Sequence, residues 1–319
     1  MSVEVRVREV TEETADIRAL RLVRADGAEF PAYPAGAHID VTGPTGVLRQ
    51  YSLCGPPSAP SSLLIAVKRE PSSRGGSLAL HGVRAGDRLE IDGPRNLLRL
   101  AEDTDTDRHV LVAGGIGITP LLAMAYELHR RGAEFELHYF ARSREEAAFV
   151  DLLERRVAFP GRVRLRFGTD RAERPALLAA TARGLTGASH VYTCGPEGFM
   201  RQVTEAFEPV VGSAHVHIEH FEAAEVDTSA DRAFTVELDT GEVFEVPADR
   251  SILSVLEAGG IDVFKSCEEG ICGSCVSGVL EGTPDHRDNC LSAADRASGE
   301  QLALCVSRAR SERLVIELY

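Results

Sequence analysis

A multidomain fold is predicted by two changes of rhythm along the 319 residues: close-set alternating strands, then apolar runs separated by helices, then a hairpin, a helix and a cysteine-rich loop. The first rhythm fills residues 1–103. There "VEVRVREV", "ADIRALRLVRA", "AHIDVTG", "LRQYSL", "LLIAVKRE" and "DRLEIDGP" follow one another without long helices, the pattern of an antiparallel β-barrel or sandwich. The second fills 104–224, where "HVLVAGGIGI", "FELHYFA", "RVRLRFG" and "HVYTCG" alternate with the helical stretches "LLAMAYELHRRG", "REEAAFVDLLERRVAF" and "EGFMRQVTEAF". Crossover helices of this kind predict an α/β domain with a parallel sheet. Residues 225–231 close the small, polar, acidic stretch "EAAEVDTSAD" and read as a linker. In 232–319, "AFTVELDTGEVFEVP" reads as a hairpin around Asp239, Thr240 and Gly241, "SILSVLEAGG" as a helix and "RLVIELY" as a closing strand.

Composition narrows the function. The chain carries 35 basic and 49 acidic residues, a formal charge of −14. Between Asp227 and Tyr319 there are 18 acidic and 8 basic residues, so about −10 of that charge sits on the last third. This argues against a grip on nucleic acid and for a basic or neutral partner surface. No stretch approaches the ~20 apolar residues of a membrane span, and "MSVEVRVREV" alternates like a strand and has no leader pattern, so a soluble cytoplasmic protein is expected. Seven cysteines, five of them after residue 266, point to a metal centre in such a compartment and not to a disulfide framework.

Three of those thiols lie in "CEEGICGSC" at C-x4-C-x2-C spacing, Cys267, Cys272 and Cys275, and Cys305 follows in "LALCVS". This is the plant-type spacing for a two-iron, two-sulfur cluster; a zinc site or buried free thiols are the alternatives. Gly270 and Gly273 permit the sharp bend and leave amides free to point at sulfur. Cys290 in "HRDNCLS" fits neither spacing nor loop and reads as a small buried residue. On these residues 233–319 resembles a plant-type ferredoxin domain, which implies a β-grasp α+β fold and one-electron traffic.

A ferredoxin must be loaded with electrons. "VAGGIGITP" (Val112 to Pro120) ends an apolar strand with glycines and opens a helix, an arrangement that lets backbone approach a pyrophosphate. "TCGPEGFM" (Thr193 to Met200) ends another strand about 80 residues on. Together they resemble the nicotinamide half of the ferredoxin-NADP reductase superfamily. The resemblance implies that Gly114, Gly115, Gly117, Thr119 and Pro120 line the dinucleotide and that Cys194, Gly195 and Pro196 lie beside the nicotinamide. As a residue type, Cys194 serves equally as a compact strand end. Hydride needs a two-electron acceptor, and a flavin fills that role. "RQYSL" matches the superfamily's flavin motif. On a strand Arg49 and Tyr51 share one face, a guanidinium for the flavin phosphate and a phenol for the flavin edge, with Ser52 near its N5. Lys68 is a further flavin-side candidate. Gly75, Gly76 and Ser77 of "SSRGGSLALHG" sit at a helix start suited to an anion, the FMN phosphate site in relatives. A surface charge and a plain turn are the bland readings of Arg49 and the glycines.

The order of "RQYSLC", "SRGGS", "GGIGITP", "CGPEGFM", "CEEGICGSC" and "HRDNCLS" resembles the phthalate dioxygenase reductase and vanillate O-demethylase reductase family over essentially the whole chain. The resemblance implies an NADH-dependent oxidoreductase: hydride passes from NADH to FMN beside Ser52 and Cys194, and electrons leave singly through the 2Fe-2S cluster to a separate oxygenase. It implies that Phe221 packs on the flavin, that the barrel form of the first domain applies, and that the protein is a monomer. Asp170, after the third parallel strand, suits the 2′-hydroxyl of NADH, while the nearby Arg171 and Arg174 leave NADPH open. The histidines of "HVHIEHF", His215, His217 and His220, read as strand residues, not as a metal site. A Rieske non-haem iron oxygenase is the expected acceptor. A cytochrome P450 is the alternative, and a zinc-holding non-redox binding module a remote one.

Overall fold

The computed structural model describes residues 2–58, 60–71, 75–101, 106–223 and 226–318. Ser73 and Arg74 of "SRGGS", the expected boundary at 103–104 and Ala224 and Glu225 at the head of the expected linker lie outside them. The chain divides into two compact units, Met1–Glu219 and His220–Tyr319.

The first unit opens with six antiparallel strands: β1 (Val3–Glu12), β2 (Ile17–Arg24), β3 (His38–Thr42), β4 (Leu48–Ser52), β5 (Leu63–Lys68) and, after helix α1 (Gly76–His81), β6 (Arg88–Arg95). They lie in the order β4-β3-β6-β1-β2-β5. An antiparallel bridge between Leu53 and Ile65 joins the two edges, so the sheet closes as a barrel. Alternation gives two of these strands two cores. Leu20, Leu22, Leu63, Ile65 and Val67 fill the barrel, while Ile17 and Ala19 of β2 and Ala66 of β5 face outward into a second core.

That second core is shared with the α/β part of the same unit. Its elements are β7 (His109–Gly114), α2 (Ile118–Arg131), β8 (Phe135–Ala141), β9 (Val163–Phe167), α3 (Arg174–Ala182), β10 (His190–Cys194), α4 (Glu197–Val211) and β11 (Val216–Glu219). All five strands are parallel in the order β11-β10-β7-β8-β9, so the strand order reverses between β7 and β10. Open sheets bind ligands beyond the carboxyl ends of the strands at such a switch point. Leu111, Ala113 and Tyr192 pack with α2 and the outer barrel face, and Val110, Val112 and Val191 with α3 and α4.

One expected helix is absent from the described residues. "REEAAFVDLLERRVAF" forms turns and a single π-helical turn, Leu152–Arg156. Phe149 adopts the left-handed conformation (φ 62°), and its N–H donates to the Glu13 carboxylate at 2.8 Å, outside any helical ladder. A bulky residue at positive φ interrupts an α-helix, and the barrel carboxylate holds it there.

At the amino-terminal ends of β7, β10 and β11 four histidines meet. His190 stacks on His215 with ring centroids 4.2 Å apart and shares a 2.9 Å ring-nitrogen hydrogen bond with His217; His109 lies 6.2 Å from His190. Burial and the neighbouring rings push His109 and His217 down to about 4. Both therefore stay neutral in the fold at pH values where the unfolded chain takes up protons near its ordinary pKa. Their stabilising contribution is complete above about 6.5 and is lost as pH falls toward 4. From pH 7 to pH 5 the pair costs on the order of 3 to 4 kcal/mol, a fall in Tm of about 10 °C. His217→Asn is expected to halve that fall in scanning calorimetry, and an undiminished fall places the acid sensitivity elsewhere.

The second unit contains β12 (Phe234–Leu238), β13 (Val243–Val246), α5 (Ile252–Ala258), β14 (Val276–Glu281), β15 (Pro284–Asp285), α6 (Ala293–Ser298), β16 (Gln301–Ala303), β17 (Arg308–Ala309) and β18 (Arg313–Glu317). Its sheet runs β13-β12-β18-β14-β16 with β12 and β18 parallel in the middle, a β-grasp. The hairpin β12–β13 turns through Asp239, Thr240 and Gly241 as the sequence predicts. Ser251 caps α5 by accepting from the N–H of Ser254, and Ile252, Leu253 and Leu256 pack on Val236, Leu314 and Ile316. Asp231 is tied into this unit by two Arg287 hydrogen bonds at 2.5 and 2.9 Å and by Arg308 at 3.5 Å.

Candidate functional site

In the first unit β4 presents Arg49, Tyr51 and Ser52. Arg49 and Tyr51 alternate with buried Ser52, and burial pushes the Tyr51 phenol up to about 12, so it stays a neutral donor. The Arg49 side chain lies across the start of α1: a Cβ on Gly76 would fall 2.8 Å from Arg49 Cγ and 3.5 Å from its Nε. Gly75, at φ 99°, turns the chain into that helix, a conformation that costs a glycine little. Guanidinium and glycine turn thus form one cradle from residues 26 positions apart, and a phosphate suits both. Ser77 is buried, and its hydroxyl accepts from the N–H of Glu70 at 3.1 Å. Lys68 stands apart from this cradle's contacts, exposed and paired with Glu70 at 2.5 Å.

The switch point is drawn tight by glycine. A Cβ on Gly117 would lie 2.2 Å from the carbonyl oxygen of Cys194, and one on Gly195 3.0 Å from the backbone of Gly114. The β7 and β10 ends therefore approach as only glycine allows, leaving a crevice walled by backbone. Thr119 is buried with its hydroxyl donating to the carbonyl of Ile116 at 3.0 Å, and Pro120 follows it in the first turn of α2. Pro196 caps α4. Cys194 is fully buried, and burial pushes its thiol well up.

Behind Cys194 lie two residues that sequence reasoning missed. Glu219 pairs with Cys194 across β10 and β11, and burial raises its carboxyl to about 8. His38 Nδ1 sits 3.9 Å from Glu219, and His38 pairs with Ser52 across β3 and β4. Ser52 and Cys194, 142 positions apart, are thereby joined through two buried titratable side chains. The only available signal was their position, His38 opening β3 and Glu219 closing β11.

Asp170 turns back on its own loop, its carboxylate accepting from the N–H of Ala172 at 2.9 Å. Arg174 lies over the Phe199 ring at 5.3 Å and donates to Gln202 at 3.0 Å, while Arg171 reaches the start of α4 beside Gly198. Phe221 begins the second unit, 38% exposed.

In the second unit the four predicted thiols lie close enough to act on one another's titration, most strongly Cys267 with Cys272 and Cys275 with Cys305. Two irons with two thiolates each need such pairs, whereas zinc needs all four around one point. The N–H groups of Glu269 and Ser274 point at the sulfurs of Cys267 and Cys272, at 3.3 and 3.4 Å. Gly270 and Gly273 both take φ 72°, as the bend requires. Cys290 stays out of the set, its sulfur 3.4 Å from the buried Asp288 carboxylate and its thiol pushed up by burial.

The model of the 2Fe-2S iron-sulfur cluster binding domain matches residues 236–310. A vanillate O-demethylase oxidoreductase from Pseudomonas sp. (strain HR199 / DSM 7063) is 47% identical over 95% of this chain and 96% of its own length. The chain belongs to the family of vanillate O-demethylase and phthalate dioxygenase reductases. The crystal structure of phthalate dioxygenase reductase, described as modular for electron transfer from pyridine nucleotides to 2Fe-2S, covers 99% of this chain and 98% of its own, with a TM-score of 0.70 and 36% identity. An intact type IV self-sufficient cytochrome P450 monooxygenase covers 99% with a TM-score of 0.87 and 38% identity, and this chain spans 41% of that longer one. The reductase is thus an oxidoreductase, the component of an oxygenase system that passes electrons to the oxygenase, and it carries a 2Fe-2S cluster binding domain. None of its described helices is long and apolar enough to cross a membrane.

Proposed function

We propose that this reductase draws electrons from NADH and delivers them to a Rieske non-haem iron oxygenase of an aromatic or demethylation pathway. The observation that carries the reading is the buried series Ser52, His38, Glu219 and Cys194, which sets the strand suited to the flavin against the strand suited to the nicotinamide. When bound, the nicotinamide supplies hydride, and flavin and cluster convert that pair into single electrons. The chain's own residues position and exclude. Arg49, with the Gly75–Gly76 turn and Ser77, holds the FMN phosphate, Tyr51 covers the ribityl side, and Ser52 faces N5. Gly114, Gly115, Gly117, Thr119 and Pro120 admit the pyrophosphate, and Cys194, Gly195 and Pro196 flank the nicotinamide and keep water out. Asp170 takes the 2′-hydroxyl, Phe221 packs on the flavin, and Cys267, Cys272, Cys275 and Cys305 hold the cluster. Lys68, outside the cradle, contributes least. Glu219 is neutral below about pH 8, so it lays no negative charge beside Cys194 at neutral pH.

A cytochrome P450 acceptor has one observation in its favour, the high overall likeness to the reductase part of a self-sufficient P450. The vanillate O-demethylase relative favours the Rieske class. The test records the visible spectrum anaerobically before and after NADH, with NADPH in parallel, then mixes the reduced protein with one purified oxygenase of each class. Bleaching of flavin and cluster bands by NADH, with turnover in the Rieske mixture alone, is the expected result. Turnover with the P450 alone transfers the assignment, and bleaching by NADPH alone overturns the role of Asp170.

A further inference from the structure

The motif "HRDNCLS" takes no part in the proposed cofactor sites, yet its first four residues, His286 to Asn289, bind together separate stretches of the second unit. The buried Asp288 carboxylate sets the shape of this segment by accepting from the N–H of Leu291 at 2.9 Å and from the Ser307 hydroxyl at 3.1 Å. That shape aims both neighbours. Arg287 grips the Asp231 carboxylate at 2.5 and 2.9 Å. Asn289 faces two ways: its backbone N–H donates to the carbonyl of Gly270, inside the cysteine loop, at 2.8 Å, and its side-chain amide donates to the carbonyl of Glu222 at 3.1 Å. The loop is close-packed there, since a Cβ on Gly270 would lie 3.1 Å from Asp288 Cα and 2.6 Å from Val306 Cγ2.

Glu222 and Asp231 lie on the stretch by which the chain enters the second unit after Glu219, the last residue of the first. With Glu222 held, three positions of chain run from Glu219 to that anchor, a reach of at most about 10 Å. Without that bond the next hydrogen-bonded anchor, among the described residues, is Asp231, twelve positions past Glu219, and the reach grows to about 40 Å. Effective concentration falls as roughly the −3/2 power of tether length, so a tether about fourfold longer lowers it about eightfold.

We propose that Asn289 is a positioning residue for electron transfer within this chain: by tying Glu222 to the segment that also holds the cysteine loop, it keeps the tether short and so sets how fast the cluster is reduced. The proposal rests on the reading that FMN in the first unit reduces a cluster held by Cys267, Cys272, Cys275 and Cys305. The step moves one electron. The flavin, carrying the two electrons of one NADH, is oxidised by one, the cluster is reduced by one, and no bond to the protein forms or breaks.

The test uses the full chain with FMN and cluster in anaerobic stopped flow with NADH as donor. Wild type is compared with Asn289→Ala and with Asn289→Asp, which keeps the shape and sets an acceptor where the donor was. Both variants are expected to reduce the flavin at the wild-type rate, to bleach the cluster bands about eightfold more slowly, and to keep the iron content and low-temperature EPR spectrum of the cluster. A glutamate-specific protease is expected to cut after Glu222 several-fold faster in both. Wild-type cluster reduction in both variants overturns the proposal, and so does an unchanged rate of cleavage. A slowed cluster phase with an altered EPR spectrum or a lower iron content overturns it too, because Asn289 then acts on the cluster and not on the tether. A wild-type protein whose flavin bleaches while its cluster never does overturns the electron path itself, and the role of Asn289 with it.

Discussion

Replacing Cys305 by alanine is expected to abolish the iron-sulfur signal and to lower reduction of any protein acceptor by about a hundredfold or more, while NADH still reduces the flavin within about twofold of wild type. The asymmetry follows from how the thiols are distributed. Three come from one loop, and Cys305 alone comes from the segment after β16, where it is the contact partner of Cys275. On the proposed ligand set one iron would keep a single thiolate without it, and the loop would lose its attachment to the sheet. Arg49, Ser52, Gly114, Gly117 and Cys194, proposed for flavin and nicotinamide, belong to the other compact unit, whose cores contain no residue of the second. Cys290→Ala is the matched control. It also removes a partly buried thiol of the same unit, but one set against Asp288 and outside both pairs, so cluster content and acceptor rates are expected to stay near wild type. Iron and sulfide analysis with low-temperature EPR after reduction reads both variants. A Cys305→Ala protein that retains the full signal excludes Cys305 as a ligand.

The cluster site was the most legible part of the sequence because its chemistry is local. Three of the four expected thiols and both turn glycines fall within nine residues, so the loop can be read from spacing alone. The sheets were legible for a similar reason, since alternation in β2 and β5 and buried runs in β7 and β10 are read one strand at a time. What depended on distant partners was not. The apolar spacing of "REEAAFVDLLERRVAF" has a helical period, and only the Glu13 carboxylate, over a hundred positions earlier, fixes Phe149 at positive φ and breaks it. His38 and Glu219 have no motif of their own; they matter because the start of β3 meets the end of β11.

Gly117→Ala is expected to lower NADH-dependent flavin reduction by about a hundredfold and to destabilise the first unit by about 3 kcal/mol or more, with flavin content retained. An added methyl would sit 2.2 Å from the carbonyl oxygen of Cys194, 2.3 Å from its carbonyl carbon and 2.7 Å from the nitrogen of Gly195. All three atoms are backbone, so no rotamer change relieves the collision, and the turn between β7 and α2 must part from the carboxyl end of β10. That parting opens the crevice in which the nicotinamide is proposed to lie and moves Cys194 relative to Ser52. Gly115→Ala separates collision from conformation. Gly115 has φ 57° with nothing within 4 Å of an added Cβ, so its substitution carries only the left-handed backbone cost of about 1 kcal/mol. Stopped-flow reduction by NADH, beside thermal melts of both variants, should show a large defect in Gly117→Ala and a slight one in Gly115→Ala. Equal defects would mean that the glycine turn serves through its dihedral angles, and the close approach of β7 to β10 would then lose its place in positioning the coenzyme.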